Sequence, residues 1–147
     1  MSIRITSPAF SEGGNIPRKF TFDGQDVSPA LAWEGVPPGC KCLALIVDDP
    51  DAPAGTWDHW LLYNLPPDVP GLPEGITGVG TAGRNSWGRS RYNGPCPPRG
   101  KPHRYYFKLY ALDTTLNLGP GLTKRELESA MGSHILAQGL LMGVYGR

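Results

Sequence analysis

The chain has little excess charge of either sign. Its 147 residues contain 14 lysines and arginines against 13 aspartates and glutamates, so the formal net charge is +1. Proteins that bind nucleic acids usually carry a strongly basic patch. No run of five like charges is present that could form a charged tail. The composition therefore argues against a nucleic-acid partner.

Long apolar runs are missing as well. The sequence nowhere has the 18 consecutive apolar residues that a membrane-spanning helix needs. Residues 1–6 lack the apolar centre and cleavage site of a secretory signal. We therefore expect no transmembrane segment and a cytoplasmic location.

Cysteine is scarce, and its number is odd. Three cysteines do not make a disulfide framework, and reduced thiols suit a cytosolic protein. Cys40 and Cys42 could clip a metal ion, but no second pair of Cys or His lies nearby in the sequence to complete a tetrahedral site. We expect no metal there and interpret the pair as the start of a strand with both side chains on one face.

Glycine and proline are abundant, with 20 and 16 residues. They separate short apolar runs, a pattern typical of a β-sandwich and not of a disordered chain. The length fits one domain over residues 1–147. The sequence thus predicts a mainly β domain with strands at residues 3–6, 20–22, 31–33, 43–47, 60–65, 104–112 and 140–145.

One helix is predicted near the end of the chain. Thr123 and Glu126 have the spacing of a capping box, and Leu127 and Met131 begin an apolar stripe at helical spacing. His134 continues that stripe, and we interpret it as structural, not as a ligand-binding residue.

Residues 69–92 form a glycine-rich stretch with little periodicity. We expect a long connection across one face of the sandwich, since such loops in compact domains are usually functional or mobile. Its arginines, Arg84, Arg89 and Arg91, are interpreted as a solvated surface.

Two polar segments adjoin predicted strands and indicate a binding pocket. Strand ends and proline-stiffened loops hold side chains rigidly enough to meet a small ligand. The candidate ligand-binding residues are Asp49, Asp51, Trp57 and His59 in the first segment, and Cys96, Pro97, His103 and Tyr105 in the second.

The favoured hypothesis is an anion pocket. His59 and His103 can offer ring N–H groups and Tyr105 a hydroxyl to a phosphate oxygen. Asp49 and Asp51 can orient the imidazoles or meet a cationic headgroup, as in phosphoethanolamine. A carboxylate within about 4–6 Å of His59 should also raise its pKa above about 6.5.

Three other interpretations remain open. The Asp and His residues could bind zinc or iron in a metal-dependent hydrolase, although the HExxH spacing is absent. Ser86 or Cys96 could be a nucleophile, although no GxSxG elbow is present. Asp51 and Asp58 could simply cap turns, with the histidines as satisfied core groups. We expect a binding protein with no catalytic residue, no metal and no cofactor.

The two segments resemble the phosphatidylethanolamine-binding protein family, whose Raf kinase inhibitor-like members share a DPDAP run, a W-x-H motif and a GP-x-PP loop leading to H-R-Y. Here these are residues 49–53, 57–59, 94–98 and 103–105. Further matches at residues 7–10, 22–24, 28–33 and 140–145 extend the resemblance over nearly the whole chain.

The resemblance implies a β-sandwich with a large antiparallel sheet, a smaller sheet and one or two peripheral α-helices. It implies a pocket for phosphate groups or phospholipid headgroups, formed by the eight candidate residues, and possible regulation of a kinase or protease. It also implies a cis bond between Ala52 and Pro53.

The chain departs from the family pattern at two places. Cys96 stands where eukaryotic relatives tend to have Gly. Without their C-terminal helix, the chain fits the short bacterial or archaeal type, so we expect a homodimer.

Overall fold

The protein is mainly β, with two antiparallel sheets and one α-helix. A computed structural model describes residues 2–147. The elements in chain order are β1 (Arg4–Thr6), β2 (Leu31–Glu34), β3 (Cys42–Asp49), β4 (Trp57–Leu65), β5 (Gly71–Leu72), β6 (Thr81–Ala82), β7 (His103–Leu112), α1 (Lys124–Met131) and β8 (Ile135–Tyr145). The fold class predicted from the sequence is confirmed.

The larger sheet has the strand order β6-β4-β3-β7-β8. All eight residues of the central strand β3 are buried. Both faces of this strand are covered, so it reads in the sequence as a continuous apolar run and not as an alternating one.

The first face of the larger sheet packs against the smaller sheet, whose order is β1-β2-β5. Ile5, Leu31 and Trp33 alternate with exposed neighbours on β1 and β2 and point into this core. Leu45 and Phe107 meet them from the larger sheet. This period-2 pattern is the one expected for strands with one buried side.

Helix α1 covers part of the opposite face. Leu127 and Met131 pack on Ile46 of β3 and its neighbours. The predicted capping box is present: the Thr123 hydroxyl accepts from the Glu126 N–H, and the Glu126 carboxylate accepts from the Thr123 N–H.

His134 does not extend the helical stripe. Helix α1 ends at Met131 and a short 3-10 turn, Gly132–His134, follows it. The His134 ring contacts the Asp113 carboxylate at 2.8 Å on the surface. Its interpretation as a structural residue agrees with this placement.

Two local predictions were wrong. Residues 20–22 are not a strand: a 3-10 turn, Arg18–Phe20, is followed by bends that the Thr21 hydroxyl stabilises by donating to the Arg18 carbonyl and accepting from the Asp23 N–H. The bond between Ala52 and Pro53 is trans, as is every peptide bond in residues 2–147.

The N-terminal segment lies along the outer edge of β8, the last strand of the larger sheet. The Ile3 N–H donates to the Gln138 carbonyl at 3.0 Å, and the Ile16 N–H donates to the Val144 carbonyl at 2.8 Å. Gly139 permits the crossing, because a Cβ atom there would collide with the Ile3 carbonyl.

The glycine-rich connection contains β5 and β6, each of two residues, and its arginines are exposed as expected. Across the part of the chain that the structure describes, none of the helices has the length and apolar character needed to cross a bilayer.

Candidate functional site

The antiparallel register of the larger sheet brings the two polar segments together. Strand β3 ends at Asp49 where β4 begins, and Asp49 pairs with Trp57. Val47 pairs with Phe107 of β7. Because side chains alternate along a strand, the side chains of Asp49 and His103 lie on the same face of the sheet as those of Val47 and Phe107. Asp49 and His103, which are 54 residues apart in the sequence, are therefore in direct contact.

His59 occupies an irregularity in β4. Val47 pairs with Trp60 and the next residue, Asp48, pairs with Asp58, so His59 is the extra residue of a β-bulge. Bulges often occur beside binding sites, where they re-aim one side chain. Here the bulge directs His59 toward the same pocket as His103.

The pocket has a volume of about 330 Å³. Of the candidate residues, Asp49, Trp57, His59, Cys96, Pro97 and His103 line it, together with Ala52, Pro53, Ala54, Trp87 and Pro98. Asp51 and Tyr105 do not line it. A larger groove of about 480 Å³ lies on the opposite face, around Lys108, Tyr110 and Leu140, and contains none of the candidate residues.

Asp49 orients His103. Asp49 is 3% exposed, and its Oδ2 lies 2.7 Å from Nδ1 of His103. Its Oδ1 accepts the Asp51 N–H at 2.8 Å. Both carboxylate oxygens are thus bonded within the protein, and the ring orientation of His103 is fixed.

His59 is held by a backbone carbonyl. Its Nδ1 lies 2.7 Å from the carbonyl oxygen of Asn93. Burial lowers the pKa of His59, and this effect outweighs the opposing hydrogen bond to Asn93 and the attraction of Asp49. The prediction of a raised His59 pKa was therefore wrong, because it considered the nearby carboxylates but not the loss of solvation.

Asp51 faces away from the pocket toward Arg104. The guanidinium donates to both carboxylate oxygens, from Nη2 at 2.8 Å and from Nε at 3.0 Å, and the Arg104 backbone N–H also donates to Oδ2. The side-chain hydrogen bonds to Arg104 lower the pKa of Asp51 to about 2. This pair ties the β3–β4 loop to the start of β7.

Tyr105 lies beneath the histidines. Its ring meets His59 edge to face with centroids 5.3 Å apart and is nearly parallel to His103 at 6.5 Å. The residue is 1% exposed, and its hydroxyl has no hydrogen-bond partner in the described part of the chain. Burial raises its pKa well above the usual value, so the phenol stays neutral.

Trp87 is the residue that the sequence analysis missed. It contacts the Trp57 ring edge to face at 5.5 Å and the His59 ring at 5.0 Å. The available signal was the single tryptophan of the glycine-rich connection at residues 69–92. With Trp57 and three prolines it forms a predominantly apolar wall.

Asn85 fixes the segment that carries Trp87. This buried amide accepts the N–H groups of Trp87 and Arg89 at its Oδ1. Its Nδ2 donates to Asn93 Oδ1 at 2.7 Å. One side chain therefore joins the tryptophan wall to the residue that holds His59.

The loop that carries Cys96 rests on the 3-10 turn around Phe20. The Gly94 N–H donates to Asp26 at 2.7 Å, and a Cβ atom on Gly94 would collide with the Phe20 carbonyl. The Phe22 N–H donates to the Pro95 carbonyl. The segment first predicted as a strand is thus a support for the pocket.

Residues 6–146 match the family model described as phosphatidylethanolamine-binding protein. The chain belongs to the phosphatidylethanolamine-binding protein family. Among relatives, a UPF0098 protein of Methanothermobacter thermautotrophicus is 46% identical, with 99% of each chain covered. A UPF0098 protein of Pyrococcus abyssi is 51% identical over 96% of this chain and 84% of its own.

Solved structures of the family have the same fold. A phosphatidylethanolamine-binding protein homolog from Chlamydia trachomatis is 44% identical, with a TM-score of 0.95 over 99% of this chain and 98% of its own. YbcL of E. coli, described as a member of the mammalian family, is 31% identical, with a TM-score of 0.92 over 100% and 99%. The large and small sheets described above are those of this family.

Ser86 and Cys96, the two candidate nucleophiles, are bonded to groups other than histidine. Ser86 accepts the Asp58 N–H, and Cys96 contacts Arg147 at 3.6 Å. Within residues 2–147 neither side chain has a histidine as hydrogen-bond partner, which a Ser-His or Cys-His mechanism needs. What remains is a pocket with two imidazoles at its base and aromatic and proline side chains around them.

The metal-hydrolase alternative finds no suitable ligand set. Over the described residues, no three side chains of His, Cys, Asp or Glu converge as they would around a metal ion. Asp51, which that hypothesis needed, is bonded to Arg104.

Proposed function

We propose that this protein binds small molecules or lipid headgroups that carry a phosphate group. The observation that carries the proposal is the position of His59 and His103 side by side in one pocket of about 330 Å³, each held by a separate internal hydrogen bond. Imidazoles held in this way can bond phosphate oxygens. The family name, phosphatidylethanolamine-binding protein, is consistent with such a ligand.

The walls suit the organic part of that ligand. Trp57 and Trp87 meet at the mouth of the pocket, and Pro53, Pro97 and Pro98 complete an apolar lining. Such walls favour a phosphate ester over inorganic phosphate, since aromatic rings contribute contact area and attract a nearby ammonium group. Phosphoethanolamine has the size and the two charges for this pocket.

The proposal is of binding without turnover. Neither a nucleophile paired with a base nor a three-residue metal set is present in the described chain. A metal-dependent esterase or phosphatase activity that disappears in His59→Ala would contradict the proposal.

The test is a titration with phosphoethanolamine followed by NMR. Few atoms make contact, so we expect a Kd on the order of micromolar to millimolar. The His59 and His103 resonances should move, and those of His134, which lies on the surface beside Asp113, should not. Shifts confined to residues outside the pocket would overturn the site.

We also propose a homodimer. Leu136 and Leu140 of β8 are 38% and 52% exposed, and a second copy would remove such apolar surface from water. Sedimentation equilibrium of Leu140→Lys, with Leu118→Lys as an exposed control, tests this. A wild-type monomer at high concentration would contradict it.

Regulation of a kinase or protease is proposed to use the pocket rim, where Trp87 is 37% exposed. Wild-type protein should inhibit a responsive kinase or protease, and Trp87→Ala should inhibit it less. Equal inhibition by both forms would remove the rim from the proposal.

A further inference from the structure

Both pocket histidines have their Nδ1 atoms engaged by acceptors inside the protein. Nδ1 of His59 lies 2.7 Å from the Asn93 carbonyl oxygen, and Nδ1 of His103 lies 2.7 Å from Asp49 Oδ2. A carbonyl and a carboxylate can only accept, so each Nδ1 carries a proton. A neutral imidazole has one ring proton, which leaves Nε2 of each neutral ring with a lone pair.

The two Nε2 atoms are the ones that a ligand meets. Within residues 2–147 neither has a hydrogen-bond partner, and neither belongs to the buried unpartnered atoms, unlike the Tyr105 hydroxyl. Both histidines line the pocket. Each neutral ring therefore offers a ligand an acceptor and not a donor.

Buried bonds on the far side of each ring disfavour an exchange of tautomer. Asn93 is fixed by its side-chain bond from Asn85 and by its backbone N–H, which donates to the His59 carbonyl at 3.2 Å. Asp49 is fixed by the Asp51 N–H. Moving the proton from Nδ1 to Nε2 would leave a buried oxygen without its donor, which is unfavourable by about 1–3 kcal/mol.

The surrounding charges do not replace the missing donors. The titratable or charged groups around the two rings are the carboxylates of Asp26, Asp49 and Asp51, the Tyr105 phenol, the Cys96 thiol and the guanidinium groups of Arg104 and Arg147. Both guanidinium groups are paired, Arg104 with Asp51 and Arg147 with Asp23. A fully ionised phosphate would thus meet two lone pairs beside a carboxylate.

We propose that the pocket takes up an oxyanion only together with a proton, which resides on Nε2 of His59 or His103 or on the phosphate itself as P–OH. This inference rests on the proposed function, that the site binds phosphate groups. A phosphate monoester has a second pKa near 6 and can bring its own proton. Sulfate and phosphodiesters stay deprotonated, so the rings must draw the proton from solvent.

The sign of the pH dependence follows. Bound anion stabilises the charged ring, so the ring pKa is higher in the complex than in the free protein. Affinity for sulfate is then greatest below the free-state pKa. It falls by up to tenfold per pH unit as the pH rises above the free-state pKa, for as long as the bound complex holds the proton.

The decisive measurement is calorimetry of sulfate binding in two buffers of different ionisation enthalpy at about pH 7.5, above the reference histidine pKa. The difference in heat gives the number of protons taken up. We expect roughly one proton per sulfate bound. No proton uptake, with an affinity that is constant between about pH 5.5 and 8, would overturn the inference.

Glutamine variants give a second and independent test. In His59→Gln and His103→Gln the amide can always donate from a position near the former Nε2. Proton uptake should fall and affinity should become less dependent on pH. His134→Gln, which replaces the third and exposed histidine, should keep the wild-type uptake. Wild-type uptake in both pocket variants would contradict the inference, and if they fail to fold, the wild-type measurement decides.

The two proposals fail in different ways. If neither sulfate nor methyl phosphate shifts the pocket resonances at about pH 5.5, below the reference histidine pKa, the phosphate site itself is wrong. If both ligands bind there and at about pH 8 without taking up a proton, the phosphate site stands and only the proton requirement fails.

Discussion

Asn85 and Asn93 are joined side chain to side chain, with Nδ2 of Asn85 donating to Oδ1 of Asn93 over 2.7 Å. Both residues are buried, with 4% and 5% of their surface exposed. Through this bond the loop that bears Trp87 and the carbonyl that holds His59 form one unit. The pocket is therefore built on a buried amide pair as well as on the sheet.

Replacement of Asn85 should disturb the pocket and lower stability. Asn85→Ala leaves several buried groups without partners, so we expect a loss of about 1–3 kcal/mol in the free energy of unfolding. The Trp87 segment should loosen, which a red shift of tryptophan fluorescence and weaker phosphoethanolamine binding would show.

Asn64→Ala is the matched control, because the Asn64 amide also joins two segments, through Leu116, at a distance from the pocket. It should cost at least as much free energy of unfolding, because Asn64 has a φ of 53° that alanine adopts less readily, but leave ligand affinity unchanged. Equal loss of affinity in both variants would mean that affinity reports general stability only.

Trp87→Ala should weaken the binding of esters but not of inorganic phosphate. An aromatic contact contributes about 0.5–1.5 kcal/mol, or roughly a 2- to 12-fold change in Kd. The Kd values of phosphoethanolamine and inorganic phosphate, measured on both proteins, give the comparison. A parallel loss for both ligands would place the effect of Trp87 on His59, which it also contacts.

The bond between Asp51 and Arg104 should add stability that depends on pH. The pKa of Asp51 is lowered to about 2 in the folded protein, against an unperturbed value of about 3.9. A lowered carboxyl pKa means that the stabilisation is complete above the unfolded-state pKa and is lost as pH falls toward the folded-state pKa. The window is therefore from about pH 4 down to about pH 2.

Urea unfolding of Asp51→Asn measures this. The pair is largely solvated, so we expect a loss of only about 0.5–1 kcal/mol at neutral pH. The difference from wild type should shrink through that window. Asp68→Asn, at an exposed aspartate, should show no such trend, and a difference that is constant with pH would contradict the argument.

Leu127 should be the main anchor of helix α1. It is fully buried against the outer face of the sheet, and Leu→Ala at such positions costs about 2–5 kcal/mol. Leu118→Ala, where the side chain is 45% exposed, should cost little. Chemical denaturation gives both values, and ligand affinity should be unchanged in each because neither residue lines the pocket.

The fold was largely predictable because its strands are separated by glycine and proline and its central strand is a continuous apolar run. The strand at residues 20–22 was predicted wrongly because apolar character outweighed the turn that Thr21 stabilises. The pattern of apolar residues in a sequence does not show whether a side-chain hydroxyl bonds to the neighbouring backbone.

The sequence indicated several residues that the structure brings together in one pocket, but it said less about how each of them is held. Asp49, His59 and His103 lie in one pocket because their motifs stand at strand ends of the same sheet. Asp51 differs, since its carboxylate pairs with Arg104, which was not among the candidate residues. The position of Trp87 depends on Asn85, and the pKa of His59 depends on burial. These properties arise from long-range packing, which a single sequence does not display.

The segment that lies along β8 has a further consequence. An outer strand with open N–H and carbonyl groups is a template for pairing with another chain. Here Ile3 and Ile16 occupy two of the β8 carbonyls. Removal of residues 2–16 would leave those carbonyls open to pairing with another molecule, so we expect the N-terminal segment to oppose lateral growth of the sheet between molecules.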